Sequence, residues 1–461
     1  MKFSNSVYKI QTTIIAIFIS FFISSTGWAT TYYVDSRNGK NSNAGTPSAP
    51  WETIQKAADT MVAGDTAIVR AASSSERVRI TRSGASGIPI TFQAQGWVVM
   101  RGFTILASYI RVGGFEIKNT IGGSWTESSG IYIKGINNEA LYNFIHDVAH
   151  YGIFLDASPA SPSSTSNNTV RNNRIAWAVD AGIRVMGANN LIQANDISHS
   201  RQYQPGVTTY QPGGDADGIR FFGSGHTIRK NYIHDIYSSD PGNSYSPHID
   251  AIQTWGPAYN IIFEQNTFHI PDNSMQGAMI SSVSTPVKDL TFRNNIFING
   301  STGYGPGLNI MGYNGYIISN ITIVNNNFIR TNGPATYCVW LHDGIQTAKV
   351  KNNAFYDCGN QSTSYFSTAP YSGGTTSGID VGYNSISKSD GRAPVESRYP
   401  NDLWLVDPKF VNFAAKDFHL QSTSPLINAG APLIGATNDY DGVSRPQGAG
   451  HDIGAYELKS Q

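Results

Sequence analysis

One short pattern recurs through the middle of this chain and limits what it can fold into: Asn, any residue, then Ile or Phe. It occurs at Asn143-Phe144-Ile145, Asn173-Arg174-Ile175, Asn195-Asp196-Ile197 and Asn231-Tyr232-Ile233. It continues at Asn266-Thr267-Phe268, Asn295-Ile296-Phe297, Asn326-Asn327-Phe328 and Asn353-Ala354-Phe355. Successive copies lie 30, 22, 36, 35, 29, 31 and 27 residues apart. Most follow a short alternating segment such as His226-Thr227-Ile228-Arg229-Lys230. Between copies a second segment opens on Gly-Ile, as at Gly130-Ile131, Gly152-Ile153, Gly182-Ile183 and Gly218-Ile219. No helical period is present, so each repeat reads as short strands joined by turns. The spacing fits one rung of a parallel β-solenoid, whose stacked rungs set equivalent residues about 4.8 Å apart. The Asn of each copy then forms an internal ladder that satisfies buried backbone groups at a turn. Eight copies in phase weigh against the alternative, an antiparallel sandwich with accidental Asn spacing.

Composition narrows the class. A chain of 461 residues, 40% of them hydrophobic, has ample material for a core. Lys plus Arg and Asp plus Glu are 32 each, without the basic excess a duplex-DNA binder shows. Lys2 and Lys9, the apolar run 12–23, and the small residues Gly27 and Ala29 read as a secretory signal peptide over 1–29. A membrane anchor is the alternative, but the run is short for a span. The expected mature protein is exported, extracellular or periplasmic, off the membrane, and a monomer. In an oxidising compartment Cys338 and Cys358 are expected to form a disulfide, with two buried free thiols as the alternative.

Two further stretches carry a family resemblance. The start has Tyr32-Tyr33-Val34-Asp35, then Pro50-Trp51-Glu52-Thr53-Ile54-Gln55 and Ala63-Gly64-Asp65-Thr66. The end has Asp407-Pro408-Lys409-Phe410, Ser424-Pro425-Leu426-Ile427-Asn428 and Asp452-Ile453-Gly454-Ala455-Tyr456. With the repeat between them, they resemble the secreted right-handed parallel β-helix proteins of the pectate-lyase-like superfamily. The resemblance implies an all-β, single-stranded right-handed parallel β-helix over 30–405, opened by a short cap helix over 51–61. A C-terminal segment, 406–461, is expected to pack back on it. Such a fold hosts lyases, hydrolases, epimerases and non-catalytic adhesins, so chemistry must come from particular residues.

Aligning the Gly-Ile strands gives columns. Asp217 precedes Gly218, and Asp250-Ala251-Ile252-Gln253 takes the same phase one rung later. Asp217 and Asp250 are therefore expected to stack, with Asp215 beside His248 and with Arg184, Arg220 and Gln253 in one column. Gly218 is expected to permit the bend that turns Asp217 outward. Two carboxylates about 5 Å apart at an effective dielectric near 20 repel by roughly 3 kcal/mol. That is tolerable if one is protonated, if an Arg lies between, or if a cation sits there. An Asp–Arg surface ladder is the bland alternative.

Here the chain is similar to several families at once. Gly214-Asp215-Ala216-Asp217-Gly218-Ile219, followed by Asp250, resembles pectate lyases of the ninth family, in which such positions hold Ca²⁺ and a Lys is the base. The resemblance implies Ca²⁺ at Asp217 and Asp250, with neighbouring Asp215 a further candidate ligand, but the expected Lys is missing, since Lys288 lies on the wrong strand. Asp217-Gly218-Ile219 also resembles polygalacturonase-type hydrolases, although their Gly-His-Gly and Arg-Ile-Lys motifs are absent. Pro247-His248-Ile249-Asp250 is similar to the Pro-His-Asp element of alginate epimerases, with one residue inserted. The leading expectation is β-elimination on a uronate-containing polysaccharide. Asp217, Asp250, His248 and Arg220 are the catalytic candidates, with His248 taking the proton. Arg184, Asp215, Gln253 and Trp255 are the substrate-binding candidates. Hydrolysis by the Asp217–Asp250 pair and non-catalytic glycan binding remain as alternatives. His146, His150, His199 and His234 are weaker candidates, and Trp177, Tyr203, Tyr210, Tyr237 and Tyr245 are expected to flank the groove.

Overall fold

The computed structural model describes residues 29–203, 205, 215–243, 247–270, 275–283, 285–300, 307–312, 315–331, 338–342, 344–359, 366–367, 377–394, 399–433 and 435–460. The expected signal peptide thus lies, but for Ala29, outside the described residues, as do Tyr210 and Tyr245.

Among the described residues three long parallel sheets, of 14, 12 and 11 strands, wind along the chain, and each strand pairs with its equivalent one coil later. Their registers form continuous inward columns. One runs Ile131, Ile153, Ile183, Ile219, Ile252, Ala278, Leu308, Val339 through the 11-stranded sheet. Another runs Ile145, Ile175, Ile197, Ile233, Phe268, Phe297, Phe328, Phe355 through the 12-stranded sheet. These side chains are buried in a single apolar core. Aromatic members stack face to face, as Phe297 on Phe328 at 4.8 Å and Phe328 on Phe355 at 5.1 Å. Burial of such rings is worth roughly 2–3 kcal/mol each.

The Asn ladder is present and longer than the eight copies of the sequence pattern. The backbone N–H of each Asn, from Asn143 to Asn353, donates to Oδ1 of the next at 2.9–3.1 Å, the last of these being Asn384. Asp402 accepts from Asn384 at 2.8 Å and ends the series. Every residue before a ladder Asn, from Tyr142 to Tyr383, has φ between 53° and 58°. That left-handed residue makes the corner, and the Asn amide satisfies the backbone groups that the corner exposes. A second ladder, Asn138–Asn168–Asn190, ends on His226 Nδ1. Burial holds the His226 imidazole down at about 4, so it remains neutral and able to accept.

A short helix spans Ile54–Thr60, inside the expected 51–61, with the Thr53 hydroxyl accepting from Lys56 N. Beyond residue 406, Phe410, Phe418, Leu420, Leu426, Ile453 and Tyr456 form a second core with Ile296, Ile298 and Ile329 from the 12-stranded sheet. Cys338 and Cys358 form a disulfide. Among the described residues no helix is long and apolar enough to cross a membrane.

Candidate active site

The polar columns converge on the outer face of the 11-stranded sheet. Asp215 bridges His248 and Ile219 pairs with Ile252, a constant offset that puts Asp217 beside Asp250 in the next rung. Asp217 Oδ1 accepts the Asp250 backbone N–H at 2.9 Å, so the expected stack is formed. Arg184, Arg220 and Gln253 stand in register, as expected. The bend has a different cause from the one expected. Gly218 does not have a positive φ; a Cβ there would collide with the Ala251 carbonyl and stand 2.5 Å from Ile233 Cγ2. Glycine is required by the closeness of the packing. It sits where two core-facing residues adjoin, leaving Asp217 and Arg220 on the outer face.

Arg220 is the hub. Its Nε donates to Asp217 Oδ2 at 2.7 Å, Nη2 to Asp215 Oδ2 at 2.5 Å, and Nη1 lies 3.0 Å from Asp180 Oδ2. Asp180 escaped the sequence reading. It also accepts from Tyr151 Oη at 3.2 Å and lies 3.5 Å from His150 Nε2. Burial pushes Asp180 up, but His150 and Arg220 outweigh it and hold the carboxylate below its usual range. Trp255 covers the guanidinium, its ring centroid 5.4 Å away.

The other half is His248 with Asp250. Nδ1 of His248 lies 2.9 Å from Asp250 Oδ2, which also accepts from Gln253 Nε2 at 3.0 Å. The His248 side chain is 45% exposed, while Asp250 and Asp217 are fully buried. Its Nε2 has no partner among the described residues. Asp250 Oδ1 and Gln253 Oε1 are buried acceptors with no hydrogen-bond partner. An unmet acceptor of this kind costs about 1–3 kcal/mol. Burial pushes the carboxyls of Asp215, Asp217 and Asp250 upward. The hydrogen bond and charge of Asp250 raise the His248 imidazole to about 9.

The Ca²⁺ expected at Asp215, Asp217 and Asp250 does not fit this arrangement. One ligand atom each from Asp217, His248 and Asp250 lies within 4.8 Å of the others. Yet both Asp217 oxygens already accept, from Arg220 and from Asp250 N–H, and Asp215 is held by the same guanidinium. An imidazole is a poor partner for a cation that takes six to eight oxygens. Arg220 supplies the positive charge among these carboxylates.

Other candidates fall elsewhere. His146 sits between Glu116 and Asp147, and His234 between Asp196 and Asp235, a repeated turn device on the 12-stranded sheet. Trp177, expected to flank the groove, belongs to that sheet and stacks on His199 at 4.4 Å. Tyr237 lies near the same His199, its Oη bonded to Asp235. Tyr203 meets the 237–243 turn through its backbone. His150 is buried, with its imidazole held low by desolvation.

The family model described as "Right handed beta helix region" matches residues 129–303, a stretch that contains the whole site. No curated protein sequence matches this one. Among solved structures, pectate lyase Pel9A superposes with a TM-score of 0.50 at 15% identity, over 93% of this chain and 96% of that one. The PL6 family alginate lyase AlyGC gives 0.51 at 15% identity, over 77% of this chain and 52% of that one. At this identity the likeness speaks for fold. Sheets, ladder and match together make this chain a right-handed parallel β-helix protein with the fold of the pectate lyases.

Proposed function

We propose that this chain is an exported carbohydrate-active enzyme that cleaves an extended, uronate-containing polysaccharide by β-elimination. One observation carries the reading: the half-exposed His248 imidazole, with Nδ1 held by the fully buried Asp250 and Nε2 unpartnered. The carboxylate fixes the ring and raises its basicity, leaving Nε2 to take the C5 proton as the C4–O bond breaks. The same imidazolium can return that proton to the departing oxygen. The Asp250 carboxylate, fully buried, orients the ring from beneath and does not itself reach the sugar. Asp217 and Arg220 act beneath, Asp217 through the Asp250 backbone and Arg220 through Asp215 and Asp217. The likeness in fold to a pectate lyase and an alginate lyase agrees with this substrate class.

Hydrolysis is the second reading, and Asp215 favours it. That carboxyl is partly exposed and burial pushes it up, as suits a general acid. Asp217 and Asp250, the expected acid and base, are too buried to touch a glycosidic oxygen. The test is incubation with acidic and neutral polysaccharides, followed for ultraviolet-absorbing unsaturated product and for reducing ends. Elimination predicts unsaturated product at a rate that climbs with pH toward about 9, as His248 loses its proton. Hydrolysis predicts reducing ends without that absorbance, falling off in base. Neither product on any polymer refutes an enzyme of this class and leaves glycan binding.

A further inference from the structure

Beside the site, beyond Trp255, lies a cavity of about 270 Å³ lined by Arg184, Met186, Phe222, Trp255, Pro257 and Tyr259, among others. Arg184 differs from every other charged group near the site. Arg220, one rung away in register, is surrounded by Asp180, Asp215 and Asp217. Arg184 has no carboxylate in ion-pair contact among the described residues. Its Nη1 donates to Tyr151 Oη at 2.7 Å, and that phenol in turn meets Asp180. Its Nε is buried without a hydrogen-bond partner. Four rings, Trp125, Tyr151, Phe154 and Phe222, stand 5.1–5.5 Å from the guanidinium carbon. A guanidinium fixed by ring faces, carrying an unmet donor and opening on a cavity, is set for a planar anion.

We propose that this cavity is a carboxylate-reading subsite, in which Arg184 binds the acid group of one sugar while Trp255 carries its ring face. The proposal rests on the polysaccharide reading and deepens it. Arg184 and Gln253 are two rungs apart, about 10 Å by strand spacing. That exceeds one sugar ring, so the acid group on Arg184 belongs to a neighbour of the sugar at His248. The enzyme therefore selects polymers with uronates in succession over those with isolated ones.

Calorimetric binding of a uronate trisaccharide and of its carboxyl-reduced form to the full chain tests this. The native protein should bind the acidic trisaccharide at least tenfold more tightly. Arg184→Gln should erase that preference, and Arg184→Lys should keep part of it, with circular dichroism confirming that both are folded. Trp255→Ala should weaken both ligands alike and leave the preference intact. Equal affinity of the native protein for the two ligands, or a preference that survives in Arg184→Gln, overturns the subsite. Binding with the expected preference but no cleavage of any polymer upholds the subsite and removes only the enzymatic reading.

Discussion

Replacing Asp217 by Asn separates a catalytic support from a structural ladder. The amide oxygen still accepts the Asp250 N–H that Asp217 Oδ1 now holds at 2.9 Å. The charge-assisted bond from Arg220 Nε at 2.7 Å is lost, costing about 1.5–3 kcal/mol. Against this, the repulsion between Asp217 and Asp250, stacked one rung apart, disappears. It is worth roughly 3 kcal/mol at about 5 Å and an effective dielectric of 20 if both are ionised, and less because burial pushes both toward protonation. Arg220 keeps Asp180 and Asp215. The two effects nearly cancel, so the Tm of Asp217→Asn should lie within about 2 °C of the native value. Turnover should fall about a hundredfold, because the amide sets its NH2 against the Arg220 Nε–H, donor against donor, and relief of that clash shifts the rung that aims Asp250 and His248. Differential scanning calorimetry and the rate of product formation, on the same preparation, give both numbers. A drop of more than about 5 °C with turnover unchanged would refute the reasoning and leave these residues as scaffold.

Other expected outcomes follow from single contacts. His248→Ala should abolish elimination. In the native protein, His248 contributes stability that is fully present below its unfolded value near 6.5 and is lost as pH rises through about 9, so urea midpoints should decline across that window only when His248 is present. Asn231→Ala strips the acceptor from Asn195 N–H and the donor from Ile192 carbonyl, both buried, and should cost roughly 3 kcal/mol in urea unfolding. Gly218→Ala should cost about 1–3 kcal/mol and lower turnover, whereas Gly130→Ala, similarly crowded by Ile145 and Gly152 but away from the site, should lower stability alone.

The ladder and the site differ in how they could be read from sequence. Asn-x-Ile and Gly-Ile are local patterns with a fixed phase, so the stacking of Asp217 on Asp250 and of Arg184 on Arg220 followed from counting. Asp180 was not legible, because it lies two residues before Gly182, outside the column that Asp217 occupies, and its value arises only when Arg220 reaches across rungs. His226 was hidden because it performs an asparagine's task with a different side chain. Calcium was expected from the likeness of the acidic rungs to those of ninth-family pectate lyases. Sequence spacing does not show that a guanidinium three residues on folds back among them.

Asp402 gives the stack a polarity at its last rung. Each Asn receives a backbone N–H through its oxygen and has an amide of its own to pass onward. Asp402 accepts from Asn384 but brings no side-chain donor, and it sits just before Leu403–Trp404, the two-residue strand at the end of the 12-stranded sheet. A solenoid whose exposed end repeated Asn would offer a template for a second molecule to dock and extend. A carboxylate in that position has no amide donor to hand to a further rung, so the ladder that propagates the coil is closed by the residue that ends it.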